Sequence, residues 1–307
     1  MTENITLRSA YDGLDVSVLI IKPEMEAKAV LQLAHGMRGC KERYAPLMEY
    51  MAANGIACVA NDHRGHGASV HEAKDRGYMY SGGHEALVSD MKMVTDWAHW
   101  AFPDLPLYLL GHSMGSLAAR TYLKKYDTAI TGLIVCGSPS WNPYVPVWHP
   151  FIRLIARFKD GRIHMNIMSR LASFMYNRRF SSEGPDAWLC SDPDSRKAFA
   201  DNPLCKYNFT ANAVDALLNL MTETYSVQGW SVGNPDLPIY FISGADDPCM
   251  RSEACFHESA QLMADMGYKE VSSALFSGMR HELLNEVKKE MVWEDVLQHL
   301  EMWKNQK

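Results

Sequence analysis

Short, largely apolar segments alternate with amphipathic segments along most of this chain of 307 residues. Strands that are apolar throughout must be covered on both faces, as in a parallel sheet flanked by helices. Between them, segments such as 84–102 place apolar residues at helical spacing, and Pro103 ends that segment. The alternation predicts an α/β fold with a mostly parallel central sheet and helices on both faces. The predicted strands are 16–22, 29–36, 56–62, 107–111, 132–138, 239–244 and 271–278.

Residues 139–231 interrupt this alternation. They contain no good strand pattern, are punctuated by proline and glycine, and are rich in aromatic residues. We expect residues 1–138 and 232–307 to form one α/β core, with residues 139–231 inserted as a helical cap. An ordinary helical subdomain with its own small core is the alternative. The insertion lies between a candidate nucleophile and the next candidate catalytic residue, which favours a lid over an active site.

Composition excludes several functional classes. The formal net charge is -6 and there is no long basic run, so nucleic-acid binding is not expected. The N-terminus does not resemble a signal peptide, and no segment is long and apolar enough to span a bilayer. The seven cysteines are scattered without a CxxC motif, which predicts reduced thiols in a cytoplasmic protein. The oligomeric state does not follow from the sequence.

The segment Leu107–Lys125 predicts a strand, then Gly-His-Ser-Met-Gly, then a helix. G-x-S-x-G in that context predicts a sharp turn that exposes the serine hydroxyl at the carboxyl edge of the sheet. Gly111 and Gly115 leave room where backbones approach closely. The helix N-terminus favours developing negative charge. Ser113 is therefore the candidate nucleophile, with a plain glycine-rich turn as the alternative.

A serine nucleophile needs a base, and the base needs an orienting carboxylate. In a hydrolase with this kind of turn, the chain order is serine, acid, histidine. Asp246 and Asp247 follow the predicted strand 239–244, and His281 follows the last predicted strand. His281 is the candidate base and one of the two aspartates the candidate acid. Turn chemistry before Pro248 is the alternative role for the aspartates.

The oxygen that becomes negative in acyl transfer needs two backbone N–H donors. One is expected from Met114, the residue after the nucleophile. The other is expected from the loop after the predicted strand 29–36, where we choose Met37. In this role Met37 contributes its backbone, so its side chain is unconstrained. A simple turn at His35-Gly36 is the alternative.

Three further histidines lie near these motifs. A metal site at His63 and His66 is conceivable, but no carboxylate–histidine ligand pattern surrounds them. We expect a polar scaffold there and no metal. His112 is expected to pack or to form hydrogen bonds and not to act as a base.

The chain resembles the serine α/β-hydrolases grouped with monoacylglycerol lipases and bacterial lysophospholipases. The likeness covers nearly the whole chain and is densest in HGMRGCKERY, NDHRGHGAS, LLGHSMGS, FISGADDP and GMRHELLNE. In such enzymes the acid lies three residues after the glycine that ends the strand, which implies Asp247, and Ser113 and His281 carry over directly. Relatives often have an acidic–histidine pair after the oxyanion residue, where this chain has Arg38-Gly39-Cys40.

The resemblance implies a serine carboxylic-ester hydrolase that needs no cofactor and acts by two-step acyl transfer. A lipid-like ester such as a monoacylglycerol or a lysophospholipid is the expected substrate. A proline-iminopeptidase-like peptidase is the first alternative, but such enzymes commonly carry Trp at the position of Met114 and need acidic cap residues for a substrate amine. An acyltransferase and a catalytically silent ligand-binding protein are the others, and the complete set of serine, acid and histidine argues against the silent protein.

The cap sequence contains two further patterns. Met165, Met168, Leu171 and Met175 form an apolar stripe, which we expect to pack onto a cap core and not to line an acyl groove. The span Arg153–Arg179 carries seven basic residues against one acidic residue. Such an excess of positive charge attracts anionic headgroups, so one candidate interaction of the cap is transient contact with a membrane surface or a micelle. A solvated helix face is the simpler interpretation.

Overall fold

A single eight-stranded sheet forms the centre of the protein, whose computed structural model describes residues 1–305. The strand order is β1-β2-β4-β3-β5-β6-β7-β8. Strand β2 runs antiparallel to β1 and β4, and all other neighbours are parallel, which confirms the predicted fold class. The strands are β1 (Thr2–Arg8), β2 (Asp15–Ile21), β3 (Ala29–Ala34), β4 (Ile56–Asn61), β5 (Leu107–His112), β6 (Gly132–Cys136), β7 (Ile239–Gly244) and β8 (Val271–Phe276).

Helices cover the sheet and fill the long connection between β6 and β7. In that connection the described chain has helices and one isolated bridge, between His164 and Thr210, but no strand of the sheet. Within residues 1–305, no helix is both long and apolar enough to cross a membrane. The helices are α1 (Ala45–Ala53), α2 (Gly83–Ala101), α3 (Met114–Tyr126), α4 (Val145–Ala156), α5 (Asn166–Asn177), α6 (Pro193–Asp201), α7 (Ala211–Tyr225), α8 (Glu253–Asp265) and α9 (Lys289–Asn305).

Alternate residues of the strands enter two separate hydrophobic cores. In β5, Leu107 and Leu109 join the core that contains α2, α3 and α8, whereas Tyr108 and Leu110 join the core that contains α1 and α9. Burial of one such side chain stabilises the fold by about 1.5–3 kcal/mol. Residues 107–110 are therefore apolar without interruption for a physical reason, and this is the pattern from which the strand was predicted.

The edge strand β1 is the one strand that the sequence pattern did not predict. It pairs antiparallel with β2, from Thr2 opposite Ile21 to Arg8 opposite Asp15. Five of its seven residues are polar, and only Ile5 and Leu7 pack against the core. A strand that is covered on one side only and ends the sheet needs little apolar surface, so it lacks the signal of its neighbours.

The expected packing of the apolar stripe in the cap is wrong for half of its members. Helix α5 contains no buried residue. Leu171 and Met175 are 57% and 61% exposed, while Met168 is partly buried against the larger core. The apolar residues of α5 therefore do not form a cap core of their own.

The turn between β5 and α3 leaves no room for side chains at its two glycines. A Cβ atom on Gly115 would lie 2.1 Å from the carbonyl oxygen of Ala34, and one on Gly111 would lie 2.5 Å from the carbonyl oxygen of Gly115. The opposing atoms belong to the backbone and cannot move aside as the tip of a side chain can. These glycines allow α3 to begin directly against the end of β3.

We predict that Gly115→Ala lowers the free energy of unfolding by about 3 kcal/mol, because the added methyl group overpacks the contact with Ala34. The measurement is urea unfolding followed by circular dichroism. Lys125→Ala, at an exposed position of the same helix, is the control and should change stability by less than about 0.5 kcal/mol. Equal unfolding midpoints for the two variants would contradict the prediction.

Candidate active site

Ser113 lies at the turn between β5 and α3 in a strained backbone conformation. Its φ and ψ angles are 55° and -118°, a region that residues other than glycine rarely adopt and that costs on the order of 1–3 kcal/mol. The Ser113 N–H donates to the carbonyl oxygen of Cys136 at 3.0 Å, which anchors the turn to β6. The strain is held by the surrounding sheet, and it projects the hydroxyl out of the strand.

His281 and Asp247 complete a chain of hydrogen bonds from Ser113. The Ser113 hydroxyl lies 2.8 Å from Nε2 of His281, and Nδ1 of His281 lies 2.9 Å from Oδ2 of Asp247. All three residues are buried, with Ser113 the most accessible at 9%. The structure thus brings together the three residues chosen from separate parts of the sequence.

The two adjacent aspartates have different surroundings. Asp247 accepts hydrogen bonds from the Ser243 hydroxyl and from the Cys249 N–H, and these fix its carboxylate against His281. Asp246 is partly exposed and forms an ion pair with Arg179 of the cap at 2.5 Å. The geometry therefore favours Asp247 as the partner of the imidazole.

The protonation of His281 is controlled by two opposing effects. Burial by itself disfavours the charged imidazolium, but the neighbouring Asp247 carboxylate and its hydrogen bond outweigh burial, so the pKa of His281 lies well above 6.5. When the ring is neutral, Nδ1 carries the proton that Asp247 accepts, and Nε2 is free to accept the proton of Ser113. The arrangement can therefore activate a hydroxyl and stabilise the cation that results.

Met114 follows Ser113 in the chain, and Met37 follows a glycine that lies against Ser113. A Cβ atom on Gly36 would lie 3.0 Å from Cβ of Ser113, so the chain before Met37 runs against the nucleophile. Met114 is the first residue of α3. Within residues 1–305, no acceptor engages the backbone N–H of either methionine. Two free donors beside the serine have the chemistry of an oxyanion hole.

A cluster of neutral histidines supports the loop that carries Met37. Nε2 of His35 accepts from the His63 N–H at 2.9 Å, so Nδ1 carries the proton and donates to the Gly36 carbonyl at 2.8 Å. Burial lowers the pKa of His63 to about 3 and that of His66 to about 4. His35 holds the loop through both ring nitrogens and His66 donates through Nδ1 to the Arg64 carbonyl at 3.0 Å, whereas the His63 ring has no hydrogen-bond partner among residues 1–305.

His112 contacts the backbone of the candidate base, His281. Its Nε2 lies 3.0 Å from the carbonyl oxygen of His281, and its Nδ1 lies 2.9 Å from the Tyr44 hydroxyl. Burial lowers the pKa of His112, which keeps the ring neutral. His112 therefore positions the segment that carries His281.

Glu282 and Trp188 adjoin the base but were not predicted from the sequence. Glu282 forms an ion pair with Arg43 at 3.0 Å, and the pKa of this buried carboxyl is lowered to about 2 because the charge and hydrogen bonds of Arg43 outweigh its burial. The Trp188 ring of the cap lies 5.3 Å from the His281 ring. Glu282 directly follows His281 in the sequence, and this neighbouring position could have identified it as a site residue. No local sequence pattern identifies Trp188.

Asp247, Cys249 and His281 form the one cluster in residues 1–305 with the composition and spacing of a metal site. Both imidazole nitrogens of His281 are already engaged, by Asp247 and by Ser113. The hydrogen bonds among these residues thus account for the cluster without a metal ion.

A cavity beneath the cap opens onto Ser113 and His281. Helix α5 contributes one face to it, with Ser169, Ala172, Ser173 and Tyr176 at the spacing of a single helix face. Small and polar residues form this face, so the apolar pattern of the sequence did not mark it. The other lining residues are aromatic or apolar (Trp188, Leu189, Phe199, Phe209) or charged (Arg38, Asp186, Glu282).

The profile of a protein family described as Serine aminopeptidase, S33 matches residues 25–288 of this chain. A monoacylglycerol lipase from Mycolicibacterium smegmatis is 22% identical over 288 residues, which cover 92% of each chain.

Two solved structures are similar over nearly their whole length. A highly thermostable carboxyl esterase from Bacillus coagulans, in complex with glycerol, has a TM-score of 0.90 at 22% identity and covers 99% of both chains. A soluble variant of monoglyceride lipase from Saccharomyces cerevisiae, in complex with a substrate analog, has a TM-score of 0.72 at 18% identity. It covers 98% of this chain and 95% of its own. At these identities the likeness establishes the fold.

We predict that Asp247→Asn shifts the pH dependence of Ser113 reactivity to lower pH. Only the neutral imidazole accepts the serine proton, so the rate of labelling by a fluorophosphonate probe rises with pH through the pKa of His281. Loss of the carboxylate that raises this pKa should lower the midpoint. It should also reduce the plateau rate by about 10³- to 10⁴-fold. Asp246→Asn is the matched control and should leave midpoint and plateau unchanged, whereas an unchanged midpoint in Asp247→Asn would contradict the pairing.

Proposed function

The chain belongs to the serine aminopeptidase S33 family of α/β-hydrolases, and on this basis we propose that it is a serine carboxylic-ester hydrolase acting on a lipid-like ester such as a monoacylglycerol or a lysophospholipid. The observation that carries the proposal is the hydrogen-bonded chain Ser113–His281–Asp247 at the base of a largely apolar cavity. Those three residue types in that order supply a nucleophile, a base and an orienting acid.

In the proposed reaction, Ser113 attacks the ester carbonyl while His281 accepts its proton. The amides of Met37 and Met114 donate to the oxygen that becomes negative, and Asp247 stabilises the imidazolium. His281 then donates its proton to the departing alcohol, which leaves an acyl group on Ser113. Water then attacks the acyl group and gives a proton to His281, which returns this proton to the Ser113 oxygen as the bond to the acyl group breaks and the acid leaves. Every proton is carried by His281, so the reaction needs no cofactor.

The cavity lining supports an apolar acyl group. Leu189, Phe199 and Phe209 are buried residues that offer apolar surface next to Ser113, and Trp188 and Tyr176 extend it. Burial of an acyl chain there gains about 0.8 kcal/mol for each methylene group. The names of the relatives, a monoacylglycerol lipase and a carboxyl esterase among them, agree with a substrate of this class.

One observation favours a second candidate, a proline-iminopeptidase-like serine peptidase. Such an enzyme needs an acidic cap residue for the substrate amine, and Asp186 of the cap lines the same cavity as Ser113. The Ser173 hydroxyl donates to Asp186 at 2.6 Å, and no cation among residues 1–305 forms an ion pair with this carboxylate. The apolar lining favours the ester hydrolase over this peptidase.

We expect the purified protein to hydrolyse monolauroylglycerol and p-nitrophenyl esters, and Ser113→Ala to lose this activity by at least about 10³-fold. Ser89→Ala, on α2 and outside the cavity, is the matched control and should retain it. A proline anilide in the same panel tests the peptidase, which would be favoured if the anilide alone turned over. A folded protein without any turnover or fluorophosphonate labelling would favour a silent ligand-binding protein.

We also propose that the cap docks on anionic lipid surfaces. The face of α5 opposite the cavity exposes Ile167, Leu171, Phe174 and Met175, each more than half exposed. Helix α4 likewise exposes Trp148 and Phe151 at about 60%. Basic residues of the span Arg153–Arg179 flank both helices, which favours a lipid surface with negative headgroups over a protein partner.

We predict that the double variant Phe151→Ser/Phe174→Ser binds phosphatidylglycerol vesicles at least about 10-fold more weakly than the wild type, because two aromatic anchors are lost. Vesicle co-sedimentation measures the binding. Trp100→Ser removes an aromatic side chain that is 78% exposed on α2 and should bind as the wild type does. Equal binding to phosphatidylcholine and phosphatidylglycerol vesicles would contradict the role of the basic residues.

A further inference from the structure

The oxyanion loop, residues 35–44, carries three cations, and two of them are neutralised by neighbouring carboxylates. Lys41 forms ion pairs with Asp62 at 2.8 Å and with Glu42 at 2.6 Å. Arg43 forms an ion pair with Glu282 at 3.0 Å. Arg38 is the third cation, and no carboxylate of residues 1–305 lies within ion-pairing distance of it.

Arg38 and Arg43 provide a direct comparison, because both guanidinium groups lie over the same ring. The Phe199 ring is 5.3 Å from the Arg38 guanidinium and 4.5 Å from that of Arg43. Arg43 is paired with a buried carboxylate on its other side. Arg38 donates through Nε to the carbonyl oxygen of Cys205 at 3.1 Å, while its two terminal nitrogens have no acceptor among residues 1–305.

The unpaired guanidinium lies in the cavity of the candidate active site. Arg38 lines this cavity together with Phe199 and Ser113 and directly follows Met37. Its φ angle of 60° is in the left-handed region, which is unfavourable for arginine and is maintained by the surrounding loop. The Cys205 carbonyl and the Phe199 ring orient the group, so its free donors are preorganised for a ligand.

We infer that Arg38 is a specificity-determining residue that binds an anionic group on the alcohol part of the ester substrate. The guanidinium donates two parallel hydrogen bonds that fit a phosphate or a carboxylate. The acyl chain of a lipid-like ester is uncharged, so an anionic group that Arg38 binds belongs to the alcohol part. This inference rests on the proposed ester hydrolysis, and it names the substrate class as an acyl ester of a phosphorylated or carboxylated alcohol.

The other charges of the cavity are compatible with this assignment. Glu282 is paired with Arg43, so its charge is compensated. Asp186 of the cap also has no ion-pair partner among residues 1–305, but its carboxylate accepts a hydrogen bond from the Ser173 hydroxyl. Arg38 is therefore the one fixed cation among the lining residues that is left without a counter-charge from the protein.

The test compares three esters with the same acyl chain at concentrations below micelle formation. They are 1-lauroylglycerol, 1-lauroylglycerol 3-phosphate and the 3-lauroyl ester of glyceric acid. We expect the wild type to have a higher kcat/KM for at least one anionic ester than for the neutral one. Arg38→Gln should reduce kcat/KM for the preferred anionic ester by about 10- to 100-fold, mainly by raising KM. The same substitution should change kcat/KM for 1-lauroylglycerol by less than about 3-fold. The preferred anionic ester shows whether the group that Arg38 binds is a phosphate or a carboxylate.

Two controls separate a local contact from other effects of the substitution. Arg38→Lys keeps the charge and should restore part of the preference. Arg8→Gln removes one exposed positive charge on β1 and should leave the preference unchanged. An equal loss for neutral and anionic esters in Arg38→Gln would overturn the inference in favour of a structural role in the loop.

The failure of the inference is distinguishable from the failure of the proposed function. Hydrolysis of all three esters by the wild type at similar kcat/KM would overturn the role of Arg38 alone. No hydrolysis of any of them, together with no fluorophosphonate labelling of Ser113, would overturn both.

Discussion

The contact of the first turn of α3 with the end of β3 is the constraint on which the site depends. The Cα of Gly115 lies against the carbonyl groups of Ala34 and His35, where no Cβ fits. This contact fixes the start of α3, and hence Ser113 and the Met114 amide, relative to the loop that carries Met37. The nucleophile and both candidate oxyanion donors are thus positioned by one backbone contact. The sheet supplies the rest, because Asp247 follows β7 and His281 follows the adjacent parallel strand β8 at the same edge.

The fold and the candidate triad followed from local sequence patterns, while the walls of the cavity did not. Strands covered on both faces are apolar at most positions, so β3 to β7 left a clear signal, whereas the polar edge strand β1 left none. Ser113 was marked by its glycines and His281 by its place after the last strand, while the place after β7 left Asp246 and Asp247 open and the family resemblance selected Asp247. Trp188 and Asp186 reach the cavity through the tertiary fold of the cap, and no spacing along the chain records such a contact.

Helix α5 shows why its apolar stripe was misleading. A helix that separates a cavity from the exterior has no buried face, since both sides meet open space. Its cavity side consists of small and polar residues, and its outer side exposes Leu171 and Phe174 at 57% and 68%. Apolar spacing normally indicates the face that packs on a core. Here it indicates the outer face, so the helix depends on its ends and on neighbouring segments for its position.

Most ionisable groups around the oxyanion loop are either neutral or paired with a group of opposite charge. His35, His63 and His66 are buried beyond the reach of water, and burial keeps each of them neutral. Lys41 and Arg43 carry charge but have carboxylate partners. A charge at the wall of an apolar cavity is unfavourable unless something compensates it. Arg38 and Asp186 line the cavity without an ion-pair partner among residues 1–305, and of the cations in the oxyanion loop only Arg38 lacks one. An anionic group on the alcohol part of the substrate would supply the counter-charge that Arg38 lacks, so the preference between esters, and not the rate on a neutral ester, is expected to depend on this residue.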